Sequence, residues 1–358
     1  MSYTNPTPPA AGPMTSPRLD PTPVFDLVRW SFATELLTVA VAHFNLFDRL
    51  AKRPMSFDAL RQELGLAPRP ATVLLAAIRG MGLVVAEAAG TLSLSPLALE
   101  SLRPGGEFYM GDYVALVAEN PGVKNLAERL RTDKPVESRP DDRGAAFIFR
   151  EGMESAMDHE ASARRLTLAL AGRARIVAPA LANNFPLPGA KKILDVGGGT
   201  GLYSIALLRV NPNLRAVIWD RPEVLKVARE MAETHGVSAR VDFAAGDMFA
   251  DPVPAGCDVV LLSNILHDWD VPECETLLKR SAAALPRGGK LLIHDVYLDD
   301  DLGGPLPIAL YSAALFTITQ GRAYSAAEYR KMLTNSGLQP GAIVETAVHC
   351  GVLPATKT

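Results

Sequence analysis

The eight residues from Leu194 to Gly201, Leu-Asp-Val-Gly-Gly-Gly-Thr-Gly, constrain the fold more than any other stretch of the chain. The apolar run Ile193–Val196 predicts a buried strand, and Leu202–Val210 predicts a helix. Gly197, Gly199 and Gly201 make a tight turn between the two. Glycines there let a ligand approach the backbone, and the helix N-terminus offers free N–H groups. The spacing is G-x-G-x-G. A dinucleotide fingerprint needs its third glycine where Leu202 stands, so the turn disfavours NAD and FAD and favours a smaller adenosine-bearing ligand.

The following segments repeat the pattern of a strand ending in a polar residue. Val217–Asp220 predicts the next strand, and an acid at such a strand end commonly takes ribose hydroxyls. Val241–Ala244 runs into Gly246-Asp247-Met248-Phe249, and Asp258–Ser263 runs into Asn264-Ile265-Leu266-His267-Asp268-Trp269-Asp270. Each acid or histidine sits at the carboxyl end of a predicted strand, where open α/β sheets bind ligands. The fold class is α/β, with a doubly wound Rossmann-like sheet.

Taken in order, Asp195 with its glycines, Asp220, Gly246-Asp247 and His267-Asp268-Trp269 resemble the S-adenosylmethionine-dependent small-molecule O-methyltransferases of the caffeate, isoflavone and acetylserotonin type, including their bacterial relatives. The resemblance runs from about Pro23 to the C-terminus. It implies S-adenosyl-L-methionine as cofactor. Gly197 and its neighbours, with Asp195, Gly199 and Gly201, are expected at the methionine moiety. Asp220 is expected at the ribose, Asp247 and Met248 at the adenine, and Trp269 beside the adenosine. Asp247 is open to a second reading as a helix N-cap, and for Asp268 and Asp270 capping competes with catalysis.

Residues 1–22 carry Pro6, Pro8, Pro9, Pro13, Pro17 and Pro21, which predicts a disordered tail. Residues 24–50 carry Phe25, Leu27, Val28, Phe32, Leu36, Leu37, Ala40 and Phe44 at helical spacing. Ser56–Leu64 and Ala71–Met81 predict two helices, and Leu83–Ala86 with Thr91–Leu94 predicts a hairpin around Gly90, a winged-helix pattern over 23–105. Charge argues against DNA. From Met55 to Arg103 the bases Arg61, Arg69, Arg79 and Arg103 are balanced by Asp58, Glu63, Glu87 and Glu100, and Ala71–Ile78 has no basic or amide side chain to read a groove. In the families resembled, this region makes a homodimer interface, and the apolar 24–50 stretch suits that role or ordinary core. Residues 106–180 read as a helical connector in which Phe149–Met153 resembles a Phe-x-x-x-Met segment, with Met153 at the acceptor pocket or in the core. Residues 181–358 read as the methyltransferase domain.

The net charge of −3 implies neither nucleic acid nor an anionic membrane as partner. No apolar run approaches the roughly 20 residues of a membrane helix. Cys257, Cys274 and Cys350 are sparse, odd in number and without metal spacing, which points to a reducing cytoplasmic setting and no zinc site. No carboxylate cluster suggests magnesium.

Methyl transfer from a sulfonium needs an aligned acceptor and a reactive nucleophile. A phenol, with a pKa of about 10, is mostly un-ionised at neutral pH, and a histidine is a suitable general base. The resemblance assigns that role to His267. A base needs an orienting acid. The fifth strand, Lys290–His294, brings Asp295 to the place where plant relatives have glutamate. Gly321-Arg322-Ala323-Tyr324-Ser325 resembles Gly-Lys-Glu-Arg-Thr, so Ala323 stands where a second acid is expected. Ser263 likewise stands where some plant members have lysine. These departures keep open an acceptor that is already nucleophilic, at sulfur or nitrogen, and a non-methylating enzyme that retains the cofactor. A winged-helix regulator is a third alternative. His294 reads as structural. In the families resembled, the helix Ile308–Ile318 after Gly303-Gly304-Pro305 walls the acceptor site, so Tyr311 and Phe316 read as pocket wall or as plain core.

Overall fold

A computed structural model describes residues 12–88, 90–134 and 160–358. The chain divides into two compact units. One comprises Pro23–Ala145 and Leu298–Ser325, the other Met1–Thr22, Ala146–Tyr297 and Ala326–Thr358.

The first unit opens with helices α1 (Thr22–Arg29), α2 (Ser31–Thr38) and α3 (Leu46–Lys52). The single helical stretch expected over 24–50 is therefore interrupted. A π-turn occupies Val39–His43, and Asn45 takes a left-handed φ of 48°, which ends one helix and starts the next. Strand β1 (Met55–Ser56), α4 (Phe57–Leu64), α5 (Pro68–Gly80), β2 (Val84–Ala86) and β3 (Thr91–Leu94) form the expected winged-helix arrangement, with an antiparallel sheet ordered β1-β3-β2. Ser56 caps α4 by accepting from the Ala59 N–H at 3.2 Å. Every residue of α5 from Arg69 to Ile78 is buried, so no face of this helix is left to enter a DNA groove. Helices α6 (Pro96–Ser101), α7 (Gly111–Val114) and α8 (Pro121–Thr132) complete the N-terminal part.

The second unit is the doubly wound sheet. Helix α9 (Glu160–Asn184) leads into β4 (Lys192–Val196), followed by α10 (Leu202–Val210), β5 (Arg215–Asp220), α11 (Pro222–Thr234), β6 (Val241–Ala245), β7 (Val259–Ser263), α12 (Val271–Ala284) and β8 (Lys290–Leu298). The parallel strands lie in the order β8-β7-β4-β5-β6. Strand order reverses between β4 and β7, and ligands of open sheets bind in the crevice at such a switch point. Central strands β4 and β7 are almost wholly apolar and buried, as a sheet covered on both faces requires.

After β8, helix α13 (Leu306–Ile318) and strand β9 (Tyr324–Ser325) belong to the first unit. Gly80 of α5 lies so close to Leu306 that a Cβ there would come within 3.2 Å of the Leu306 Cα. Arg69 donates to the Thr319 and Gly321 carbonyls, each at 3.3 Å. The sequence boundary that gave all of 181–358 to one domain thus misses a segment that packs with the N-terminal elements. Helix α14 (Ala326–Asn335) and strands β10 (Leu338–Pro340), β11 (Val344–Glu345) and β12 (Cys350–Lys357) return to the second unit. Strand β12 pairs antiparallel with β8 from Cys350↔Val296 to Thr356↔Lys290. This pairing extends β8 beyond the strand end expected at His294, so Asp295 lies within the strand, one residue past the last partner from β7.

Candidate active site

The glycine turn after β4 is left-handed at all three expected positions, with φ of 62° at Gly197, 57° at Gly199 and 72° at Gly201. Gly201 is crowded as well as left-handed, since a Cβ there would lie 2.3 Å from Ile218 Cδ1. At Gly199 a Cβ would meet nothing within 4 Å, so open space adjoins the backbone there, as a ligand cradle requires. The Gly199 N–H donates to Asp220 Oδ2 at 2.8 Å, and the Arg221 N–H donates to Asp220 Oδ1 at 2.7 Å. Burial pushes the Asp220 carboxyl up to about 6 against these two hydrogen bonds. Asp195 lies beneath the turn, 1% exposed, and accepts from Ser204 Oγ at 2.7 Å. Burial lifts it to about 7. Asp195 therefore supports the turn from inside, and Asp220 lines it.

The predicted adenine side is built at the ends of β6 and β7. Asp247 Oδ1 caps its own turn by accepting from the N–H groups of Phe249 at 2.7 Å and Ala250 at 3.3 Å. Its Oδ2 pairs with Arg221 Nη1 at 3.2 Å. No helix follows Asp247, so these bonds close a turn and are not the helix N-cap of the alternative reading. Arg280 Nε holds the Met248 carbonyl at 3.0 Å. Trp269 and Phe249 meet edge to face, with centroids 4.7 Å apart, so Phe249 joins the expected Met248 and Trp269.

His267 lies in a 3₁₀ turn, Leu266–Asp268, that leaves β7. Asp270 then caps α12 with Oδ1 accepting from the Val271 N–H at 2.9 Å. The structure brings His267 and Asp295 together, with Nδ1 and Oδ1 2.7 Å apart and both side chains buried. Asp295 Oδ1 also accepts from the Val296 N–H at 2.8 Å, and Oδ2 accepts from the Tyr329 hydroxyl at 3.3 Å. Burial opposes ionisation of Asp295, but the charge and hydrogen bond of His267 outweigh it and hold the carboxyl below its ordinary value. An ionised carboxylate only accepts, which assigns the proton to His267 Nδ1 and leaves a lone pair on Nε2. Asp268 Oδ1 lies 3.7 Å from that Nε2, and burial lifts the Asp268 carboxyl to about 6. Burial works against charging the imidazole. The Asp295 and Asp268 carboxylates outweigh it and hold His267 above its usual value, while Arg173 pulls the other way.

The segments are interlocked, because a Cβ on Gly197 would lie 2.5 Å from Ile265 Cδ1, two residues before the histidine. His294 is fully buried between Ser263 Oγ at 2.9 Å and Thr346 Oγ1 at 3.1 Å. Burial depresses it to about 3, so it is a neutral structural ring. Tyr311 and Phe316 fall in the other unit. Phe316 has no exposed surface and lies under the Arg69 and Arg129 guanidiniums, at 4.9 and 5.1 Å from its ring centroid. It is core there. Tyr311 is partly exposed, with Arg29 over its ring at 4.9 Å. Ala323 is buried and its N–H donates to Ser312 Oγ at 3.1 Å. Met153 lies outside the described residues. Tyr329, Asn264 and Arg173 carry no motif by which sequence reasoning finds them.

A family profile described as an O-methyltransferase domain matches residues 137–339. A 3-hydroxy-5-methyl-1-naphthoate 3-O-methyltransferase of Streptomyces sahachiroi is 38% identical over 320 residues, covering 88% of this chain and 89% of that one. The crystal structure of an O-methyltransferase family 2 protein from Planctomyces limnophilus, in complex with apigenin, is similar with a TM-score of 0.86 and 42% identity over 96% of this chain and 98% of that one. Human N-acetylserotonin methyltransferase in complex with SAM shares the fold, with a TM-score of 0.57 and 21% identity over 96% and 99% of the two chains.

Proposed function

The chain belongs to the O-methyltransferase family and is a methyltransferase, and from that premise we propose that it methylates a hydroxyl of a small aromatic acceptor with His267 as general base. The observation that carries this reading is the 2.7 Å bond between His267 Nδ1 and Asp295 Oδ1, which leaves Nε2 able to accept a proton. The acceptor class rests on the phenolic naphthoate and flavone named for two relatives.

S-adenosylmethionine, the cofactor of this chemistry, supplies when bound an electrophilic methyl group on a sulfonium. The open space at Gly199, the acid at Asp220 and the apolar edge of Met248, Phe249 and Trp269 fit its amino-acid, ribose and adenine parts. His267 Nε2 would take the acceptor's hydroxyl proton and so make that oxygen a stronger nucleophile toward the methyl group. Asp295 holds the ring through Nδ1 and stabilises the imidazolium. Tyr329 fixes the other oxygen of Asp295.

Replacement of His267 by Ala tests the base. Turnover of apigenin is expected to fall by about 10² to 10⁴-fold, with S-adenosylhomocysteine affinity by calorimetry unchanged. A turnover number close to wild type overturns the assignment and favours a sulfur or nitrogen acceptor.

We further propose a homodimer built on α1 and the Trp30 that follows it, where Val24, Leu27, Val28 and Trp30 are between 51% and 74% exposed. We propose a cytoplasmic setting, which suits three buried cysteines held as thiols, Cys257, Cys274 and Cys350. Among the described residues no helix is long and apolar enough to cross a membrane.

A further inference from the structure

Three residues before His267, the chain leaves β7 through Asn264, whose φ of 57° is in the left-handed region. Asn and Asp tolerate this region better than other side chains bearing a Cβ, but a single conformation there needs to be held. The Asn264 N–H donates to the His294 carbonyl at 2.9 Å. Its Nδ2 donates to the Tyr203 hydroxyl and to Ser263 Oγ, both at 3.1 Å. Its Oδ1 accepts from Arg173 Nη1. A guanidinium only donates, so Arg173 dictates which way the Asn264 amide faces. The second arm, Arg173 Nη2, donates to Cys350 Sγ at 3.1 Å, at the start of β12.

We propose that Arg173 is a positioning residue for the base: it reaches from α9 to the hinge of the turn that carries His267, fixes that hinge, and sets a positive charge against the His267–Asp295 pair. The inference rests on His267 being the base. It concerns the residue that keeps that base ready.

The surroundings of the ring give the charge a purpose. Asp295 of β8 faces Nδ1, and Asp268 of the same turn faces Nε2 at 3.7 Å. The other titratable groups of the cluster are Tyr329 of α14, joined through Asp295 Oδ2, Tyr203 of α10, joined through Asn264, Cys350 of β12, joined through Arg173, and His294 of β8, joined through Ser263 and Asn264. Two carboxylates beside one imidazole favour its protonated form, which cannot accept a proton. A cation on the neighbouring hinge offsets part of that pull, and the same cation lowers the Asp268 and Asp295 carboxyls. Geometry and charge thus come from one side chain through one short link.

The test separates the two contributions, reading the charge by titration and the geometry by turnover. The His267 imidazole is titrated by NMR in the S-adenosylhomocysteine complex, its signal identified by its loss in His267→Gln. In Arg173→Met the midpoint is expected to rise, since a positive charge has gone. In Arg173→Lys, which keeps the charge without the planar fork, the midpoint stays near wild type. In Asn264→Gly, which suits the left-handed φ but lacks the amide, the midpoint also stays while apigenin turnover falls about tenfold. An unmoved midpoint in Arg173→Met, or wild-type turnover in Asn264→Gly, overturns the proposal. If Arg173→Met does not fold, Arg173→Lys with a tenfold turnover loss and Asn264→Gly still decide it. Failure of His267→Ala to lower turnover refutes the base itself and is read independently of these titrations.

Discussion

At the scale of single residues, the site is a set of buried titratable groups held in opposite states by what they touch. His267 is pushed up by two carboxylates, whereas His294, one strand residue before Asp295, is pushed down to about 3 by burial. The two rings have different duties for that reason. The depressed value of His294 also links folding to pH. An unfolded histidine titrates near its ordinary value of 6.5, and the folded ring resists protonation until about pH 3. Between those limits the unfolded chain binds a proton that the folded chain does not. The contribution is therefore complete above pH 6.5 and is lost as pH falls toward 3, at about 1.4 kcal/mol per pH unit. Asp195 and Asp220, with raised values, act in the opposite sense, so the comparison is made against His294→Asn. Urea denaturation from pH 7 to pH 5 is expected to show wild type losing stability relative to that variant. A constant gap across this range refutes a buried, neutral His294.

At the scale of elements, the glycine turn and the turn after β7 were open to reading because each lies between one strand and one helix close in sequence. Local steric rules then suffice: left-handed φ, a strand end, a helix start. The structure adds a distinction among glycines that share the same φ sign. Gly201→Ala would drive a methyl into Ile218 and is expected to cost more than about 2 kcal/mol, visible as a lowered Tm. Gly199→Ala meets open space and is expected to cost about 1 kcal/mol of strain while weakening S-adenosylhomocysteine binding, because its methyl enters the cradle. Equal Tm losses in the two variants would contradict this packing. The 24–50 stretch shows the limit of periodicity. Its apolar spacing is helical, but the π-turn at Val39–His43 and the left-handed Asn45 divide it, and helical spacing does not report such breaks.

At the scale of the whole molecule, the exposed apolar side chains of α1 make a prediction about assembly. Light scattering at micromolar concentration is expected to give twice the 38.3 kDa chain mass, and Leu27→Glu with Val28→Glu to return it to one chain. A wild-type monomer would remove the dimer proposal and leave the methyl-transfer site untouched, since every residue of the proposed base and cofactor cradle comes from the sheet unit. The sequence by itself determined the parallel α/β class, the order of polar strand ends, and the pairing of a histidine after one strand with an acid on the next. Those features depend on residues near one another in sequence and on the fixed rule that ligands meet open sheets at carboxyl ends. Only the tertiary structure decided that 298–325 packs with the N-terminal unit, that Phe316 is core, and that Tyr329 bonds Asp295 and Arg173 bonds Asn264. Tyr329 is 34 residues from Asp295, and Arg173 is 91 from Asn264 and 177 from Cys350. Contacts of that separation are set by which strands and helices become neighbours, and neither periodicity nor a short motif encodes that choice.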